Sequence, residues 1–314
     1  MNLATVLATD PIGGDVSVIA TALAAHGLAT VTPTGGQPWQ DFVDRADGII
    51  VNLATLDAAA LARLPRCRVI ARLGVGYNNV DIEAARARGI IVTNVPDYCR
   101  EEVSDHALAL MLAMVRKLPL ANADVHQGRW KQLGYRPIRR LNTLTLGLVG
   151  YGRLARALAR KALALGLRVI AHDPFAAADA ANEVKLLPLD DLLAEADVIS
   201  LHAPHVPGGR ALIGGAELQR MKAGAILINT SRGELIDEAA LVAALDAQHL
   251  SAAALDVLAT EPLAADSPLR GRPNVLLTPH MAFYSEESLV DLQRTAAEEV
   301  ARVLSGQAPH HRVA

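Results

Sequence analysis

The sequence predicts an α/β protein of two domains, each built on a parallel sheet. Three observations carry that expectation. The chain has 314 residues, and at ~150 residues per domain that length suits about two. Short runs rich in Val, Ile and Leu alternate with helical stretches, which is the rhythm of βαβ units. In the later half those runs are apolar throughout, as strands covered by helices on both faces must be.

Composition narrows the function classes. Hydrophobic residues make up 51% and charged residues 20%, with a formal net charge of -3, so the chain has neither the polarity of a disordered segment nor the basic surface of a nucleic-acid binder. The two cysteines, Cys67 and Cys99, supply no disulfide framework and show no metal-ligand spacing, which points to a reducing, cytoplasmic setting and no metal. The opening MNLATVLATDPIGG lacks a basic leader region, and the most apolar run, 107–115, is far short of the ~20 residues of a membrane span. Neither a membrane nor a nucleic acid is expected as a partner.

The first elements in order are a strand at LATVLA (3–8), a helix over 15–26, and strands at GIIVNL (48–53) and CRVIARL (67–73). The segment EEVSDHALALMLAMVRKL (101–118) breaks the rhythm: it is too long for a strand, and its acidic start suits a helix N-terminus. A domain boundary is therefore expected just before it, near Val95 and Pro96. After an Arg-rich stretch (127–142), a second series of strands is expected at 144–150, 167–173, 197–204, 225–231, 251–257 and 274–280. A closing amphipathic helix over 285–306 would return to the first domain. The expected division is 1–97 with 286–314 for one domain and 98–285 for the other.

The sharpest local pattern is Gly150-Tyr151-Gly152-Arg153-Leu154-Ala155, directly after a strand and opening a helix. Such a pattern makes a tight turn at its first glycine, lets a pyrophosphate approach the backbone at its second, and packs the helix closely at Ala155. The helix N-terminus adds N–H groups and positive dipole potential for phosphates. Asp173 ends the next strand about twenty residues on, where an acid bonds the adenosine ribose hydroxyls and repels a 2′-phosphate. The expected cofactor is NAD rather than NADP. Taken alone, Asp173 could also cap a turn before Pro174.

Three later strand ends carry polar residues: NTSRGE (229–234), ALDVLATEP (254–262) and LLTPHMAFY (276–284). Ligands of open α/β sheets sit beyond the carboxyl ends of the strands, so these segments would converge on the cofactor. Each key residue has a plainer reading too. Arg232 could be a surface ion-pair residue, Glu261 before Pro262 a turn start, and His280 a structural histidine.

Gly150 to Ala155, Asp173, Arg232, Glu261 and His280, in that order, resemble the D-isomer-specific 2-hydroxyacid dehydrogenases over essentially the whole chain. RLGVGYNNVD (72–81) resembles the family's substrate loop, and PHMAFYSEES (279–288) is most similar to the C-terminal-binding-protein branch. The resemblance implies two Rossmann-like domains: a flavodoxin-like substrate domain and an NAD-binding Rossmann domain. It also implies reversible hydride transfer between NAD(H) and a small 2-oxo or 2-hydroxy acid. The chemistry agrees, since arginine grips a carboxylate with two prongs and histidine is the general acid suited to neutral pH. Arg232 would bind and polarise the substrate, His280 exchange the proton, and Glu261 orient the imidazole.

By the same resemblance, Arg72, Val75 and Gly76 would contact substrate from the first domain, with Val75 also touching cofactor, and Phe283 would face the substrate. Arg153, Leu154, Ala203, Pro204, Thr230, Ser231 and Asp256 would line the cofactor, Asp256 accepting from its carboxamide. Four positions depart from the family's pattern. Val103, Val206 and Gly209 stand where relatives carry threonine, and Asn78 replaces an aspartate. A homodimer built around the helix beginning near Glu101 is implied as well. The alternative is an NAD(H)-sensing dimeric interaction protein of the C-terminal-binding-protein type. Which acid is the substrate stays open.

Overall fold

The computed structural model describes residues 3–176, 184–205 and 208–314. Contacts divide the chain into two compact units, Met1–Cys99 with Tyr284–Ala314, and Arg100–Phe283.

Among its described residues the first unit has five strands: β1 (Thr5–Ala8), β2 (Ala29–Val31), β3 (Gly48–Val51), β4 (Val69–Arg72) and β5 (Ile91–Thr93). All pair in parallel in the order β2-β1-β3-β4-β5, the flavodoxin-like doubly wound order. Alternate residues of each strand enter opposite cores, which is why the runs are continuously apolar. Leu7, Ile49, Val51 and Ile70 face α2 (Ala58–Ala62) and α3 (Ile82–Ala87). Val6, Ala8, Ile50, Val69 and Ala71 face α1 (Ser17–Ala24) and the C-terminal helix α10 (Glu286–Leu304). Local chemistry starts these helices where side chains can replace missing backbone partners: Asp57, Asp81 and Ser285 accept from the amides of Ala60, Ala84 and Ser288.

Among its described residues the second unit has seven strands: β6 (Thr145–Val149), β7 (Arg168–His172), β8 (Lys185–Leu186), β9 (Val198–Leu201), β10 (Ala225–Asn229), β11 (Leu250–Leu255) and β12 (Val275–Leu277). They too are parallel, in the order β12-β11-β10-β9-β6-β7-β8. This is the dinucleotide-binding order with one added strand, and its direction reverses between β6 and β9. Helices α4 (Arg100–Val115) and α6 (Arg153–Ala164) cover one face. Helices α7 (Leu189–Glu195), α8 (Gly215–Arg220) and α9 (Glu238–Asp246) cover the other.

One expectation needs correction. The helix anticipated over 101–118 ends at Val115, because Lys117 takes a left-handed backbone (φ 54) and Pro119 opens a separate helix, α5 (Leu118–His126). Proline lacks the N–H that would continue the first ladder. On α4 itself Ala107, Leu110, Met111 and Met114 are buried against α6 and the sheet. Beyond α5, Trp130 at 77% and Leu133 at 74% exposure are among the large exposed apolar side chains. Among the described residues no helix is long and apolar enough to cross a membrane.

Candidate active site

A parallel sheet delivers every carboxyl strand end to one edge. In the second unit that edge carries Gly150 after β6, Asp173 after β7, Ala203 and Pro204 after β9, Thr230 to Arg232 after β10, Asp256 to Glu261 after β11, and Thr278 to His280 after β12. The residues singled out in the sequence for this unit therefore share one edge of one sheet. A cavity of about 320 Å³ lined by Leu144, Val198, Ala225 and Asn274 lies at the amino ends of the strands, away from these side chains.

At β6, Gly150 has φ 88, and a β-carbon there would stand 2.7 Å from the backbone of His202 and Ala203. Only glycine permits this turn to lie against the end of β9. Asp173 closes the loop: Oδ2 accepts from the Tyr151 amide and Oδ1 from the Phe175 amide, both at 2.8 Å. Each oxygen keeps a second acceptor site for a ribose hydroxyl, so capping the turn and binding a ribose are compatible. The guanidinium of Arg156, not singled out in the sequence, stacks on the Tyr151 ring at 4.5 Å and donates to the Tyr151 carbonyl at 3.1 Å.

The local chemistry fits a dinucleotide. Helix α6 starts at Gly152 with no side-chain cap, and the space around that glycine's α-carbon is open, so a phosphate could meet the helix N-terminus. The Thr230 hydroxyl is buried with no hydrogen-bond partner, an orphan that a ligand would satisfy. Ser231 instead donates its hydroxyl to the Ala203 carbonyl at 2.9 Å, tying two of the expected cofactor residues together. Arg153 is exposed and Leu154 half-buried, whereas Val103 is buried on α4. Val206 lies outside the described residues.

At the other end of the sheet, His280 Nδ1 lies 2.8 Å from Glu261 Oε2, and Glu261 Oε1 accepts from the Leu258 amide at 2.9 Å. With Nδ1 donating to the carboxylate, Nε2 is the nitrogen left to face a substrate. Both side chains are part-exposed, at 45% and 37%. Phe283 stands edge-on to the imidazole, with centroids 6.4 Å apart and planes at 76°. His280 itself has φ 52, in a region that non-glycine residues seldom adopt.

Arg232 follows β10 in an extended conformation; Asn229 Nδ2 donates to its carbonyl at 2.8 Å, and its own Nη1 donates to the Ser231 carbonyl at 2.7 Å. The next residue, Gly233, is pressed against the loop that carries Glu261, and a β-carbon there would lie 1.9 Å from the Leu258 carbonyl carbon. Gly233→Ala must therefore push the Arg232 and Glu261 loops apart. A shift near 1 Å in such a site costs roughly 100-fold, so kcat/KM should fall by about that factor while thermal melting shows a folded protein. Unchanged kinetics would mean that the two loops are not required in register.

The Asp256 side chain, expected to accept from the nicotinamide carboxamide, has 0% exposure. Its Oδ1 accepts from the Thr278 hydroxyl at 2.6 Å and the Met281 amide at 3.0 Å, and its Oδ2 from the Ala282 amide at 2.9 Å. Burial acts to raise the carboxyl pKa, but hydrogen bonds from His106, Thr278 and the amides of Ala282 and Met281 outweigh it and hold the value at about 2. A carboxyl lowered in the folded state stabilises the fold above its ordinary value of ~3.9 and ceases to as pH falls through the folded value. The melting-temperature gap between the wild type and Asp256→Asn should accordingly narrow as pH falls from about 4 towards 2. A constant gap would show that the ionised form contributes nothing.

In the first unit, Arg72 ends β4, and its guanidinium crosses Gly74 so closely that a β-carbon there would meet Nη1 at 1.7 Å. Asn94 Nδ2 donates to the Val75 carbonyl at 2.7 Å, bracing the loop on which exposed Val75 and half-buried Gly76 sit.

Sheet order, glycine turn and carboxyl-edge cluster define a doubly wound dinucleotide-binding protein whose sheet edge carries a histidine–carboxylate pair and an arginine loop. Residues 108–282 match the model of the "D-isomer specific 2-hydroxyacid dehydrogenase, NAD binding domain". The chain belongs to that family, and NAD is its cofactor. It is 39% identical over 304 residues to a D-3-phosphoglycerate dehydrogenase of Mycobacterium tuberculosis, covering 93% of this chain but 57% of that protein. A glyoxylate reductase of Korarchaeum cryptofilum is 38% identical over 271 residues, covering 83% of this chain and 80% of the reductase. Among solved structures, a D-lactate dehydrogenase of Aquifex aeolicus in complex with NAD and lactic acid superposes with a TM-score of 0.85 at 30% identity, over 96% of each chain. The chain spans little more than half the length of the phosphoglycerate dehydrogenases it matches.

Proposed function

We propose that the protein is an NAD-dependent D-2-hydroxyacid dehydrogenase that interconverts a small 2-oxo acid and the corresponding 2-hydroxy acid. The observation that carries this reading is the 2.8 Å contact between His280 and Glu261 on the same sheet edge as Arg232. Arg232 presents a planar two-pronged donor to the substrate carboxylate and its neighbouring carbonyl oxygen. His280, oriented through Nδ1 by Glu261, donates the Nε2 proton to the oxygen as negative charge develops on it. NADH, when bound, supplies the hydride to the carbonyl carbon. In the oxidative direction His280 takes the proton back from the hydroxyl. Gly150, Gly152 and the start of α6 would hold the pyrophosphate, Asp173 the adenosine ribose, and Thr230 the nicotinamide half. Arg72, Val75, Gly76 and Phe283 enter the proposal as substrate contacts on the resemblance alone.

The test is oxidation of NADH and of NADPH across a panel of 2-oxo acids that includes glyoxylate, hydroxypyruvate and pyruvate. With Asp173 repelling the 2′-phosphate, kcat/KM should favour NADH by at least tenfold, or ~1.4 kcal/mol. Equal turnover with NADPH would remove Asp173 from its role. Tight NADH binding with no turnover of any acid would replace the enzyme by a cofactor-sensing protein.

A further inference from the structure

We propose that His106 and Asp256 are positioning residues for His280, acting through Thr278 and through the backbone amides of Met281 and Ala282. The inference rests on the reading of His280 as the proton donor and extends the apparatus to helix α4, which otherwise serves as a cover for the sheet.

His280 is a part-exposed side chain on a left-handed backbone (φ 52), and such a conformation persists only where its surroundings enforce it. Asp256 enforces it from both sides. Its carbonyl accepts from the His280 amide at 2.8 Å. Its carboxylate accepts from the Thr278 hydroxyl before the histidine and from the Met281 and Ala282 amides after it. One buried residue thus clamps the strand exit on either side of the imidazole.

His106 completes the clamp. Its Nε2 lies 3.0 Å from the Thr278 hydroxyl oxygen and 3.4 Å from Asp256 Oδ1. A threonine hydroxyl has a single proton, and at 2.6 Å from an ionised carboxylate that proton belongs to the bond with Asp256. The contact between His106 and Thr278 must then be donated by His106 Nε2–H. His106 holds Thr278 by its lone pair and leaves the hydroxyl proton to Asp256. No part of this chain of contacts touches the reacting atoms. Its effect is on where the His280 ring points relative to Glu261.

The substitutions that test it are His106→Leu, His106→Gln and Asp256→Asn. Glutamine can place an amide N–H where Nε2–H stands, and leucine cannot. For His106→Leu, kcat should fall about tenfold, the order of one hydrogen bond at ~1–1.5 kcal/mol, with KM and the NADH Kd unchanged and with activity restored in His106→Gln. For Asp256→Asn, which cannot accept from both the Met281 and Ala282 amides, kcat should fall further while the NADH Kd measured by fluorescence stays the same. Unchanged kcat in His106→Leu, or equal losses in the leucine and glutamine variants, would overturn the proposal. So would a weakened NADH Kd in Asp256→Asn, since that would return the carboxylate to the cofactor. The His280 imidazole resonance, assigned by its loss in His280→Gln, gives a readout independent of turnover. If no 2-oxo acid is turned over, the functional reading fails alone. The positioning role then stands if the resonance moves in His106→Leu and returns in His106→Gln, and falls if it does not move.

Discussion

Replacing His280 with glutamine is expected to lower kcat by at least ~100-fold, the low end of what a positioned general acid contributes, and to leave NADH binding within about a factor of two. Glutamine keeps the approximate volume and a donor group but cannot release a proton to a developing alkoxide. Loss should be confined to the chemical step because His280 stands on the far side of the sheet edge from the glycine turn, after β12 rather than β6. Its contacts run to Glu261 and Phe283, not to the loop closed by Asp173. Stopped-flow measurement of single-turnover NADH oxidation separates this from slow product release. A variant that retains near-normal turnover would remove His280 from the mechanism, and with it the case for Glu261 as its orienting partner.

Arg232→Ala should lower kcat and raise KM together. On the proposed reading the guanidinium would serve the bound acid and, more strongly, the charge that grows on the carbonyl oxygen. Two charge-assisted hydrogen bonds at ~1.5–3 kcal/mol each correspond to a loss of about 100-fold or more in kcat/KM. Arg232→Lys should recover only part, because an ammonium cannot reproduce the planar fork. The surrounding loop should survive the substitution, since Asn229 holds the Arg232 carbonyl and not its side chain. A KM that stays at the wild-type value would show that the carboxylate is gripped elsewhere.

Much of this architecture is legible in the residues alone. The strands at GIIV and AILIN are buried at every position, so their continuous apolar runs announce a sheet covered on both faces. The glycine pattern at Gly150 and the acid at Asp173 are local chemistry at a set spacing, and spacing survives in a sequence. Short strands do not announce themselves. β2, β5 and β8 have two or three residues each, too few for any periodicity, and each sits at the border of its sheet where pairing by a neighbour creates it. The break at Lys117 is hidden for a related reason: a left-handed lysine has no marker in composition, and only the Pro119 beyond it hints that a helix restarts.

The sequence by itself determined that the chain is a parallel, doubly wound α/β protein with a dinucleotide turn, and that Arg232, Glu261 and His280 follow successive strands. Those are properties of local pattern and strand order. Only the tertiary structure decided that Glu261 and His280 meet at 2.8 Å, that Gly233 lets two loops touch backbone to backbone, and that the apolar face of α4 is used within its own unit. It also showed that the buried Asp256 carboxylate is joined through the Thr278 hydroxyl to His106, 150 positions earlier in the chain. The physical reason is distance along the chain: hydrogen bonds and close approaches depend on separations in space of a few ångströms, and residues more than a hundred positions apart carry no mark of them until the sheet sets β11 beside β12 and lays α4 across their face.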